Sequence, residues 1–270
     1  MQNDKKQELF KDSCGSIDSL NEFLEAEAKK HKHLFSYEKK EHHDNVINNK
    51  AIYLSDGSNW CDSEDVNNLK NDKNHHVYAK CFCYLKNESV AMWMLYGGLS
   101  QEGYRIDYTS KLINDIVKNK NNYTFKIGSF DNNGHFKEEY ELKNEDFSVS
   151  LHDVVYYIQH DKDKHVVLHK GDCFSKFKHD INEIKYCKKY PWKYESECRL
   201  IVRVNNDIYK KYKPSKVNAI QIDINNPLFE NLRFTISPKY EDDTRIKDGK
   251  YKLSVLKKMT WDIRERKDSK

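Results

Sequence analysis

Between residues 192 and 199 the chain reads Trp-Lys-Tyr-Glu-Ser-Glu-Cys-Arg, and here side chains able to do chemistry crowd together. If this segment is a strand, residues two apart share a face, so Glu195 and Glu197 point the same way. Neighbouring carboxylates repel. The pKa of one rises, and a poised acid or base then stands beside an anion. Exposed edge strands also carry such glutamates as solvated charge. Arg199, in register on the same face, is placed to neutralise Glu197 as a plain ion pair. Spacing alone leaves chemistry and bland surface open, and the aromatic residues Trp192 and Tyr194 just upstream favour a cleft.

Other reactive side chains carry weaker signals. Two aromatic residues, Trp93 and Tyr96, are three apart on a short helical segment and share a face. They read either as core or as a wall on which a flat heterocycle stacks. Gly97-Gly98 follows, serving either as a helix stop or as a site of close backbone approach to a ligand. His31, His33, His42 and His43, and the pair His165 and His169, read as surface or structural residues rather than metal ligands. Cysteines stand at 14, 61, 81, 83, 173, 187 and 198 with no Cys-x-x-Cys, so neither a disulfide framework nor a zinc ribbon is expected. Cys81 and Cys83 read as thiols on one face of a strand. The sequence contains no phosphate-binding loop, no Gly-x-Gly-x-x-Gly, no His-Glu-x-x-His and no Gly-x-Ser-x-Gly.

The elements that must position these residues follow from periodicity. A helix is expected from Ile17 to Ala28, with Ser19 and Glu22 spaced as a capping box, and residues 1–50 as a whole read as a helical extension. Strands are expected at Ala51–Ser55, Val77–Leu85, Gly103–Thr109, Val149–Ile158, Leu200–Val204, Val217–Ile224 and Leu232–Ser237. Ser89 is expected to cap a two-turn helix, and residues 110–120 to form another. Tyr123–Ile127 and Phe136–Leu142 suit a hairpin. Apolar residues at 174, 177, 181 and 184 suit a helix capped by Asp172. This mixed order without regular β-α-β alternation implies one α+β domain over residues 51–270.

Composition bounds the rest. The 270 residues include 47 Lys+Arg and 43 Asp+Glu, and the formal net charge is +4. That balance permits contact with nucleic acid without announcing it. With 18 Tyr, 12 Phe and 4 Trp, a core can be filled. No apolar run is long enough to span a membrane, and the N-terminus lacks a signal-peptide core, so a soluble cytoplasmic protein without membrane contact is expected.

Two blocks carry a resemblance. Met92-Trp93-x-x-Tyr96 followed by Gly103-Tyr-Arg-Ile-Asp-Tyr, together with Trp192-x-Tyr194-Glu195-x-Glu197-x-Arg199, look like those of a widespread bacterial family of unknown function. The stretch Asn59-Trp-Cys-Asp62-Ser-Glu64 loosely matches a further acidic patch of that family. Glu-x-Glu leading into an apolar strand is also similar to the acidic motif of ADP-ribosyltransferases. That resemblance implies a mixed or antiparallel split sheet around a cleft, with NAD as co-substrate and no metal. It implies that Glu197 binds the ribose of the nicotinamide nucleoside and stabilises the cation left as nicotinamide departs. Glu195 would then orient or deprotonate the acceptor. Arg105, Trp93, Tyr96, Tyr53 and Ser55 become candidates for NAD contact, and Tyr194 and Trp192 for acceptor contact. The superfamily's middle Ser-x-Ser element has no clean counterpart here. An RNA or DNA acceptor, a toxin role in phage defence and a neutralising antitoxin partner follow from the same resemblance. The rival expectations are a nuclease holding a divalent metal with Glu195, Glu197 and a third carboxylate, and a non-catalytic module binding through Trp93, Tyr96 and Trp192.

Overall fold

The computed structural model describes residues 2–58, 60, 72–97, 102–131, 135–160, 165–184, 186–212, 218–225, 227–238, 246 and 249–256. It is an α+β fold with a large sheet of mixed strand orientation. The large sheet comprises β1 (His33–Lys39), β2 (Ala51–Ser55), β3 (His75–Cys83), β4 (Gly103–Thr109), β5 (Thr124–Phe130), β6 (Phe136–Glu141), β7 (Phe147–Asp153), β12 (Glu197–Asn205), β13 (Ala219–Asp223), β14 (Arg233–Ile236) and β15 (Tyr251–Leu253). A second sheet contains β8 (Val155–His160), β9 (His165–Lys170), β10 (Cys173–Phe177) and β11 (Cys187–Lys189).

The large sheet branches at β3. One edge of β3 is paired along its length with β12, which in turn pairs with β7. The other edge meets β1 at Phe35↔Cys83 and β2 at Ser55↔Ala79. From these two points the wings β1-β4-β14-β15 and β2-β13-β5-β6 run outward.

Alternation sorts the side chains of the branch. Residues 198, 200, 202 and 204 of β12 join Phe82, Tyr108, Ile106 and Leu151 in the main core. The amphipathic α5 (Ser110–Lys118) adds Leu112, Ile113 and Ile116 to that core, capped by the Thr109 hydroxyl. Each such aliphatic side chain stabilises the fold by about 1.5–3 kcal/mol. The opposite face carries Glu197, Arg199, Ile201 and Arg203. It is covered in part by α4 (Val90–Leu95), whose cap is the expected Ser89.

The N-terminal segment departs from its expectation. α1 (Gln2–Ser13) and α2 (Ile17–Ala28) are helices, and Phe10, Leu20 and Leu24 build a second core with Val155, Leu168 and Phe177 of the small sheet. β1, however, lies inside the large sheet, so residues 33–50 are not a helical extension. Its five consecutive buried residues hide the alternation that marks a strand. α3 (Lys40–Asn49) then leads back into β2. The N-cap of α2 is Ser16, which accepts from the Ser19 N–H, rather than Ser19.

The helix expected over 174–184 is instead β10, where Cys173, Ser175 and Phe177 are buried and the residues between are exposed, followed by a single 3-10 turn at Ile181–Glu183. Gly171, at φ +60°, makes the turn from β9 that lets this period-2 reading win. The single strand expected over 149–158 divides at Val154, passing from one sheet to the other. Among the described residues no helix is long and apolar enough to cross a membrane.

Candidate functional site

The two glutamates converge, though not by strand alternation. Tyr190–Glu195 is a 3-10 helix with Pro191 in its first turn, and Ser196 reverses the chain in the left-handed region at φ 43°. Only Glu197 belongs to β12. The reversal points both carboxylates at the ammonium of Lys188 on β11. Lys188 Nζ lies 2.7 Å from Glu195 Oε2 and 2.8 Å from Glu197 Oε2.

Arg199 closes the other side of Glu197, its Nε donating to Oε1 at 2.6 Å and its Nη2 to Oε2 at 3.2 Å. The backbone of Glu197 is clamped as well. Its N–H donates to the Tyr156 hydroxyl at 2.9 Å, and its carbonyl accepts from Val154 N–H at 2.9 Å. Glu195 Oε1 accepts from the Tyr96 hydroxyl at 2.6 Å. Both carboxylates are 3% exposed, whereas Tyr96 is 41% exposed.

Their proton affinities part. Burial, then the charge of Glu197, raises the pKa of Glu195 above the ordinary glutamate value, against the pull of Lys188 and Tyr96. Burial works to raise Glu197 too, but the charges of Arg199 and Lys188 outweigh it, helped by hydrogen bonds from Arg199 and Cys81. They hold Glu197 well below the carboxylate range. Burial and the neighbouring Glu195 push the Tyr96 hydroxyl far up. The pair therefore holds one fixed anion and one carboxyl poised to exchange a proton.

Cross-strand register brings other expected residues to this face. Phe35, Cys83 and Glu197 stand in one row, and Cys81, Arg199 and His152 in another. Arg105 of β4 is on the same side, opposite Tyr37. Its guanidinium lies 3.5 Å from the Phe35 ring centre, and Nη2 donates to the carbonyls of Leu85 and Lys86. Trp192 is half-buried with its ring 5.7 Å from Lys188 Nζ, and the exposed Tyr194 lies beside it.

Three expected residues sit elsewhere. Trp93 is fully enclosed, edge-on to Tyr37 with its indole N–H on Glu88, so it is a core residue and not a ligand-facing wall. Gly97 serves that packing, because a Cβ there would meet the Trp93 ring at 2.4 Å. Tyr53 packs on Phe130 and Phe136 and accepts from Asn49. Ser55 pairs with Ala79, four residues before Cys83 on β3, and its hydroxyl accepts from Gly57 N–H. Asn59, Asp62 and Glu64 lie outside the described residues, as does Gly98. Trp60 is described, and its ring is 5.5 Å from the Arg199 guanidinium.

The sequence reading missed Lys188, Tyr156 and Cys81 as neighbours of the pair. Lys188 lies in Tyr186-Cys-Lys-Lys-Tyr190, where nothing distinguishes a buried lysine from the exposed Lys189. Among the described residues the neighbours found are the cations Lys188 and Arg199, the phenols Tyr96 and Tyr156 and the thiol Cys81, rather than the third carboxylate of the nuclease expectation. Among the described residues no group of three or more His, Cys, Asp or Glu side chains is arranged to hold a metal ion.

Comparison with known proteins adds no relative: no protein-family model, no curated protein and no solved structure matches the chain.

Proposed function

We propose that the protein is an ADP-ribosyltransferase, moving ADP-ribose from NAD to a macromolecule, with nucleic acid favoured over protein as acceptor. One observation carries the reading. Two glutamates two residues apart hold opposite proton affinities at one buried ammonium, beneath the aromatic side chains Tyr96, Trp192 and Tyr194. In transfer, the C1′–N bond of the nicotinamide ribose breaks and its electron pair leaves with nicotinamide. Positive charge at C1′ then develops against the fixed anion Glu197. The acceptor's lone pair forms the new bond to C1′, and its proton passes to Glu195, whose raised pKa makes it a stronger base than an ordinary glutamate. Tyr96, exposed and bonded through its hydroxyl to Glu195, marks the solvent side of the pair. Arg105, on the same sheet face, is the residue we assign to the pyrophosphate, and the modest positive charge of the chain suits an RNA or DNA acceptor. A toxin role in phage defence with an antitoxin partner belongs to the same proposal.

The test is label transfer. The protein is incubated with adenylate-labelled NAD, total RNA, DNA and cell lysate, beside Glu195→Gln and Glu197→Gln. Label in nucleic acid that is lost in both variants is the expected result. Label in protein would redirect the acceptor assignment. Neither transfer nor nicotinamide release, from folded protein with every acceptor present, would overturn the proposal.

A further inference from the structure

The face of the small sheet that carries Lys188 is covered at one end and open at the other. Strand pairing puts Phe174 of β10, His169 of β9, Tyr156 of β8 and Lys188 of β11 in one row across it. Three strand spacings, about 14 Å, separate the ends of the row. The opposite face packs into the second core through Val155, Leu168 and Phe177. The 3-10 helix Tyr190–Glu195 packs on β8 and β11, and there Tyr156 and Lys188 are buried. Further out, Ile158, Val167 and His169 are half-buried and Phe174 is 56% exposed.

The large side chains that reach solvent along this surface are aromatic. Phe174 lies 6.3 Å from the His169 ring, and Tyr190 lies 4.6 Å from the same ring. Trp192 and Tyr194 follow on the 3-10 helix, 6.0 Å apart, with Trp192 above the ammonium that holds the glutamate pair. One exposed ring is ordinary, but a row of them marks an interaction surface.

Charge chooses the partner. Lys176 shares the exposed face of β10 with Phe174. Lys193 stands 5.1 Å from the centre of the Tyr190 ring and donates to its hydroxyl at 3.3 Å. Burial, then the charge of Lys193, lower the pKa of His169, so its ring is neutral near pH 7. The described residues of β8, β9 and β10 on this face include no Asp or Glu, and Glu195 is buried against Lys188. Cations set beside aromatic faces suit a single strand of nucleic acid, whose phosphates meet the ammonium groups and whose unpaired bases stack on the rings. A duplex hides its base faces. The exposed aliphatic side chains Val90, Met94 and Leu95 belong instead to α4. A protein strand adding to β10 would find Phe174 already paired, because the Gln7 amide donates to its carbonyl at 2.7 Å and accepts from its N–H at 3.1 Å.

We propose that the surface from Phe174 through Tyr190 to Trp192 and Tyr194 binds single-stranded nucleic acid, with bases stacked on these rings and phosphates held by Lys176 and Lys193. The proposal does not rest on the transferase reading, since it concerns binding alone and its test uses no NAD.

Fluorescence anisotropy tests it, titrating the full chain into a short labelled single-stranded RNA, its DNA counterpart and the matching duplexes. At least one single strand should bind, and more tightly than its duplex. Phe174→Ala and Tyr194→Ala, both at exposed positions, should each weaken that binding about tenfold. Phe174→Trp should keep it, because the ring and not the residue is what stacks. Lys176→Gln should lower the salt dependence by about one released ion. Met94→Ala, on α4, should change nothing, and circular dichroism of each variant reports its fold. Absence of single-strand binding at low salt would overturn the proposal. So would a duplex bound as tightly as the single strand, or wild-type affinity in both folded alanine variants of the ring residues.

Discussion

Lys188 and Lys170 are both buried lysines held against carboxylates near the start of β12, on opposite sides of the sheet. Lys170 faces one carboxylate, Asp153, with Nζ 2.7 Å from Oδ2, and it also donates to the Tyr84 hydroxyl at 3.0 Å. His31 completes that cluster, its Nε2 2.7 Å from Asp153 Oδ1 and its ring stacked on Tyr84. Burial opposes the charge on both partners, but their mutual attraction outweighs it. Lys170 is raised and Asp153 lowered. Lys188 faces two carboxylates, and they move apart. The Lys170–Asp153 pair locks two charges in place, whereas Glu195, buried beside the charge of Glu197, holds its proton more tightly than an ordinary glutamate. By this contrast the Asp153 side is architecture and the Glu195 side is the candidate for chemistry.

The largest effect that could break the contrast is on stability. Asp153→Ala strands the Lys170 ammonium with only a phenol for company, and removing one partner of a buried pair costs about 3–5 kcal/mol. Glu195→Gln removes no fixed charge that the fold depends on, since Lys188 keeps Glu197, and should cost about 1 kcal/mol or less. Urea denaturation of the two variants gives both numbers. A Glu195→Gln protein as unstable as Asp153→Ala would make the two clusters equivalent and remove the case for a poised carboxyl.

A smaller effect of opposite sign sharpens the same contrast through pH. Asp153 and Glu197 have folded pKa values below their unfolded ones. Their stabilisation is thus complete above about pH 4–5 and is lost as pH falls through the folded values. Glu195 is raised above 4.5, so its contribution is present below that value and fades as pH rises through the folded pKa. The stability difference between wild type and Glu195→Gln should therefore turn against wild type as pH rises from 4 toward neutrality. A difference that moves the other way would assign Glu195 a depressed pKa and an ordinary salt bridge.

The sequence made this contrast legible only in part. Glu195, Glu197 and Arg199 were visible as a cluster because they are close in the chain, and the Arg199–Glu197 pair forms as the register demanded. Lys188 was not visible, because it reaches the pair through a parallel β11–β8 pairing between distant segments. The Asp153–Lys170–His31 cluster joins three segments by tertiary contact alone and left no local pattern. Period-2 strands such as β4 and the capped helix α4 were readable from alternation and from Ser89. β1 and β10 were not, one because it is buried without alternation and the other because its apolar spacing also fits a helix. The pairing of Glu195 with Glu197 was expected for the wrong local reason. The turn at Ser196 is a left-handed backbone at a residue other than glycine, and no composition signal announces it.

The finest test lies at Tyr96, an exposed residue bonded to the pair. Its hydroxyl donates to Glu195 Oε1 and so favours the charged carboxylate. Tyr96→Phe deletes that bond while keeping the ring, at a stability cost of about 1 kcal/mol. The Glu195 carboxyl should then hold its proton to higher pH, and because Glu195 acts as a base the acidic limb of any Glu195-dependent activity should move up with it. Carbon-13 titration of the side-chain carboxyls of glutamate and aspartate in the folded variant reads the first shift directly. Asp153 must stay put in the same spectra, since Tyr96 touches only the Lys188 side. If Glu195 does not move, Tyr96 is a lid that merely lies over the pair. If both carboxylates move, the two lysine clusters titrate as one system, and the division between architecture and chemistry at β12 falls.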